Sequence, residues 1–191
     1  MDIILFIIFI MVILASLSVH EYAHAKAADL LGDPTPRQAG RLTLNPIAHI
    51  DPFGLLALII MRIGWAKPVP INPYNFKNPD QGMMVVGLAG PVSNFLIAWV
   101  LSAVLRTVPF IPSFWLSILT NAIFINLALM IFNLLPIPPL DGSRIFTQFL
   151  PLEWQYNLER YGFFILIAII IFPPTQELLF QIIYFVYNLL V

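Results

Sequence analysis

The charges along this chain are bunched, and the gaps between them are long. Residues 3–19 carry no charge, and neither do residues 82–105, 107–140, 161–176 and 178–191. A helix needs about 20 mainly apolar residues to cross about 30 Å of hydrocarbon. The first run, extended by a helical pattern as far as Leu31, predicts a spanning helix over 3–31. The next two predict core helices over 82–106 and 113–135. The last two runs are shorter, and Pro173 and Pro174 stand near the junction between them. They predict a tight helical hairpin over 154–191. The polar stretches 32–51 and 65–81 are rich in Pro and Asn, which favour turns and extended backbone.

Composition sharpens this picture. Of 191 residues, 60% are hydrophobic and 10% are charged, against about 25% charged in a soluble domain. Nine Lys and Arg against ten Asp and Glu give a net charge of −1, which leaves no basic field for nucleic acid. There is no cysteine, so no disulfide scaffold. The first run does not read as a signal peptide, because Asp2 stands where a positive residue is expected and the pattern continues past any cleavage site. The expected fold class is an all-α polytopic membrane protein forming one domain over 1–191. It has about five transmembrane helices plus one short re-entrant or interfacial segment at 52–61.

The first apolar run ends in His20-Glu21-Tyr22-Ala23-His24. Residues four apart stack on one helix face, so two imidazoles there can share one Zn²⁺. Glu21 projects to the side and can deprotonate a water instead of ligating. Ionisable side chains at the end of a membrane helix are costly and mark function. A catalytic zinc takes three protein ligands, so one more is needed, from His49 or an acid. Asp141 stands apart from the other acids. It closes the longest uncharged run, just after a break made by Pro136, Pro138 and Pro139. Broken backbone at membrane depth is tolerated only where protein or a polar cavity covers it. An ordinary Asp-Gly turn is the alternative.

These residues resemble the site-2 protease family of intramembrane zinc metalloproteases, in its compact prokaryotic form without PDZ or CBS domain. The zinc helix matches at residues 20–24 and the Leu-Asp-Gly segment at 133–142. Residues 40–52, 64–70 and 89–94 match further family segments. The resemblance implies that His20, His24 and Asp141 bind one zinc ion and that Glu21 is the general base. It implies peptide hydrolysis within or near transmembrane segments, with single-pass membrane proteins as substrates and the lipid bilayer as setting. Ser143 departs from the family, which often has Gly there. Asn133, Asn94 and His49 are candidates for holding an unwound substrate or the oxyanion. Each has a plainer alternative as a helix cap, an interhelical hydrogen bond or a loop residue, and Asn126 reads as interhelical glue. An oligomer or a regulatory membrane partner is left open.

His24 and Asp141 must meet at one depth, so an even number of crossings separates them. Two helices supply it, and residues 52–61 must therefore return to the side they left. Lys26, Arg37, Arg41, Lys67, Lys77, Arg144 and Arg160 then share one side, which the positive-inside rule makes cytoplasmic. Arg62 ends the re-entrant segment. From Ile3 to His20 is about 26 Å at about 1.5 Å per residue, which puts the zinc inside the membrane near the cytoplasmic face. The expected location is a prokaryotic cell membrane. A membrane metal transporter would also use two His and Asp141, but it would need no Glu21 and would want more intramembrane acids. An inactive zinc-binding relative would not keep all four residues.

Overall fold

The computed structural model describes residues 3–61 and 64–191. Asp2 and Arg62, used above, lie outside them. The described residues form helices α1 (Ile3–Leu30), α2 (Thr35–Gln38), α3 (Pro46–His49), α4 (Pro52–Met61), α5 (Pro79–Thr107), α6 (Ser113–Asn133), α7 (Asp141–Phe146), α8 (Leu152–Ile171) and α9 (Pro173–Leu190). Among them there is no strand beyond a single bridge, Ile50 to Ala66. The all-α expectation holds.

Three helices, α1, α5 and α6, are long and apolar enough to cross a membrane alone. Helices α8 and α9 pass that test only as a pair, bent by 80°. Against the five crossings expected, three helices, or four spans if the bent pair is one, are able to cross. The expected tight hairpin is instead a corner. Only Phe172 separates the two helices, and a reversal needs about two to five loop residues. Pro173 opens α9 at its first turn, where a missing N–H costs nothing.

The chain divides into two compact units, one ending at Gly90 and one beginning at Pro91. In the first, α1 ends at Gly32, whose φ of 103° favours glycine. Gly32 N–H reaches Asp29 O at 3.2 Å and Asp33 N–H reaches Ala28 O at 2.9 Å, a Schellman cap. The cap delivers Asp33 to a fully buried position. Its carboxylate accepts from Thr35 N–H at 3.0 Å, Thr35 Oγ1 at 2.6 Å, Asn72 N–H at 2.8 Å and Asn75 Nδ2 at 2.7 Å. Burial raises the pKa of Asp33, but these hydrogen bonds outweigh it and hold the carboxyl below the ordinary range. Asp33 so ties the chain at 72–75 to the end of α1, where Ala28, Phe76 and Val86 form a small core.

In the second unit, α9 packs on α6 around Ala98, Ile123, Leu127 and Ile183. Asn94 Nδ2 donates to Asn126 Oδ1 at 2.9 Å, joining α5 to α6 between fully buried side chains. Ile137 and Leu140 pack against Leu166 of α8, which seats the proline-rich turn before α7.

Candidate metal centre

His20 and His24 lie one turn apart on α1, and both are buried. Their Nε2 atoms are 3.0 Å apart. Two nitrogens bound to one zinc at about 2.05 Å and a tetrahedral angle would stand about 3.3 Å apart, so the pair is close to ligating geometry. His24 Nδ1 lies 2.6 Å from the Val86 carbonyl oxygen of α5. A carbonyl only accepts, so Nδ1 carries the proton and Nε2 keeps its lone pair for a metal.

Gly90, one turn beyond Val86 on α5, leaves room for the ion. A Cβ there would lie 2.4 Å from His24 Nε2 and 2.6 Å from His20 Nε2. The absent side chain is the space between backbone and imidazoles. Two nitrogen donors aimed into a space that one methyl would fill are a fit for zinc. Beside them, the Glu21 carboxylate accepts from Val69 N–H at 3.2 Å through Oε2.

Asp141 belongs to the second unit. It is the first residue of α7 and is buried. Arg144 Nη1 lies 3.8 Å from its Oδ1. Gly142 follows because a Cβ there would come within 2.3 Å of Leu134 O and 2.4 Å of Leu135 O. Ser143, the departure from the family pattern, donates its hydroxyl to Leu140 O at 2.6 Å. It therefore adds no unmet polar group.

Residues 109–172 match the model of peptidase family M50. A Bacillus subtilis protein, YwhC, is 36% identical over 182 residues, covering 86% of this chain and 80% of its own. Rip2 of Mycolicibacterium smegmatis is 32% identical over 194 residues, covering 95% of this chain and 74% of its own. Both carry the words zinc metalloprotease in their names. This chain belongs to peptidase family M50. No solved structure matches it.

The M50 peptidase is an intramembrane zinc metalloprotease of the site-2 protease type, and its cofactor is zinc. The metal-transporter alternative is not favoured. Three weaker site candidates have other engagements. Asn133 Nδ2 donates to Leu129 O of its own helix at 2.9 Å. Asn94 is paired with Asn126. His49 is buried, with Nε2 2.8 Å from Thr43 O of its own loop, while its Nδ1 meets no partner among the described residues. Sequence reasoning passed over the Val69 N–H, the Val86 carbonyl and the space at Gly90. Of these only Gly90 left a signal: a glycine inside an apolar helix costs stability and points to close approach.

Proposed function

We propose that His20, His24 and Asp141 hold one zinc ion and that Glu21 is the general base for hydrolysing peptide bonds within or near transmembrane segments of single-pass membrane proteins. The observation that carries this reading is the His24 tautomer. Its proton is held by Val86 O, and its Nε2 lone pair is turned toward His20 Nε2, on the residue next to Glu21. All three ligands are buried, and each offers one atom of a type zinc accepts. Bound zinc supplies Lewis-acid chemistry, lowering the pKa of water and polarising the scissile carbonyl.

The chain's own groups do the rest. Glu21, held at Oε2 by Val69 N–H, takes the proton of the attacking water at its other oxygen and delivers it to the leaving amide nitrogen. Burial around His20, His24 and Asp141 excludes bulk water and strengthens these interactions. The amides of Asn94 and Asn133 serve their helices, so neither is assigned to the oxyanion.

The fold is read as one membrane-embedded domain over 1–191 with four crossings. Arg106 Nη2 at the end of α5 donates to Leu189 O at the end of α9, 3.1 Å away. That contact brings the two helix ends together, which supports reading α8 and α9 as one broken span. The basic residues of the 31–78 and 134–151 connections then face the cytoplasm of a prokaryotic cell. Helix α4, ten residues long, is too short to span and returns to that side.

Co-expression of single-pass membrane proteins with wild type and with Glu21→Gln tests the reading. Fragments are expected with wild type only. Equal fragments from both would refute it.

A further inference from the structure

We propose that Arg41 is a positioning residue for Glu21 and acts through the Pro68–Val69 peptide; the proposal rests on reading Glu21 as the base. Arg41 is a guanidinium only 6% exposed. Its Nη1 donates to Ala48 O and lies 3.5 Å from Lys67 O, and its Nη2 lies 3.4 Å from Pro68 O. Pro68 O and Val69 N–H belong to one peptide plane. One edge of that plane faces the Arg41 cation, and the other donates to Glu21 Oε2 at 3.2 Å. A guanidinium that draws on the carbonyl also strengthens the N–H donor opposite, because the two dipoles are one unit.

The local sequence makes this plane the only backbone route to Glu21 from the Pro68-Val69-Pro70 triplet. Pro68 and Pro70 have no N–H, so the triplet owns a single backbone donor, and it is spent on Glu21. Lys67 N–H donates to His49 O at 2.8 Å and Ala66 bridges Ile50, which register the segment upstream. Asp33 anchors Asn72 downstream. Between these two ties, Arg41 holds the carbonyl edge of the 68–69 peptide while its N–H edge holds Glu21, and the carboxylate that must meet the water keeps one orientation.

The single donor also makes the test specific. In hydrogen exchange, Val69 is the only exchangeable backbone amide of residues 68–70. It should exchange slowly in the full-length wild-type protein. In Arg41→Lys it should exchange at least tenfold faster, while α1 keeps its protection. With a synthetic single-pass helix carrying a central Asn-Gly break as substrate, kcat should fall about tenfold, with KM and zinc content unchanged. Val69→Pro deletes the donor at a position already extended by Pro70. It should lose kcat similarly, and adding Arg41→Lys to it should cost nothing more. Unchanged exchange at Val69 in Arg41→Lys, or losses that multiply in the double variant, would overturn the proposal. Undiminished cleavage by Glu21→Gln would instead sink the base assignment and leave the exchange result standing.

Discussion

Gly90→Ala sets two physical effects against each other. Gly90 lies inside α5, where alanine is a better helix former than glycine by about 0.5–1 kcal/mol. Helix propensity alone predicts a stabilised protein. The metal centre predicts the reverse for zinc. The new Cβ would stand 2.4 Å from His24 Nε2, 2.5 Å from His20 Cε1 and 2.6 Å from His20 Nε2. Ordinary contact is about 3.5 Å, so the rings must retreat by about 1 Å. His24 cannot do so without stretching its 2.6 Å bond to Val86 O. Zinc–nitrogen distances are held to about 0.2 Å, and disturbing even an outer-shell partner of a zinc ligand costs about 10- to 100-fold in affinity. Gly90→Ala should therefore weaken zinc binding by up to about 100-fold, and the metal-free protein should melt below wild type, because the same displacement of two buried rings outweighs the gain in helix propensity. Zinc retained against graded chelator, measured beside thermal unfolding of the stripped protein in detergent, reads both effects. Wild-type zinc affinity in Gly90→Ala would refute the placement of the ion between Gly90 and the imidazoles.

Two further changes probe the scaffold. Asp33→Asn should cost about 1–3 kcal/mol at neutral pH, because a charged acceptor of four hydrogen bonds becomes a neutral one. The folded pKa of Asp33 is depressed, so its contribution is present above the unfolded carboxylate value and is lost as pH falls through the folded one. Acid unfolding curves should thus be less steep in the variant, and identical acid limbs would contradict this. Asn126→Leu removes the acceptor that Asn94 uses and should cost about 1–2 kcal/mol. The Asn94→Leu, Asn126→Leu double variant should recover part of that loss, as read by denaturant unfolding in detergent.

The spanning helices were legible because lipid imposes a simple rule. Residues 3–31, 82–106 and 113–135 were expected, and Ile3–Leu30, Pro79–Thr107 and Ser113–Asn133 are found. Helix α5 starts earlier because Pro79 and Asp80 suit a helix N-terminus, whereas a charge-free run marks hydrocarbon rather than helix. The candidate constellation of His20, Glu21 and His24 came from its four-residue spacing, and the proposed third ligand, Asp141, from its isolation. The corner at Phe172 was not legible, because proline is as compatible with a first helical turn as with a loop. Arg41 read only as one of the cations on the cytoplasmic side, and Asp33 did not stand out at all. Their partners at Pro68 and Asn72 are distant in sequence, and only the folded chain brings them together. The resemblance segments contained Gly90 and Val69, but nothing in a string of letters says that a missing methyl or a single amide is the useful part.

The central claim is a division of labour: three residues hold zinc, and Glu21 does not. Metal analysis of purified wild type, Glu21→Gln and Asp141→Ala tests it directly. Wild type and Glu21→Gln should each carry about one zinc per chain, and Asp141→Ala roughly a tenth of that or less after mild chelation. Full zinc in Asp141→Ala, or its loss from Glu21→Gln, would contradict the account.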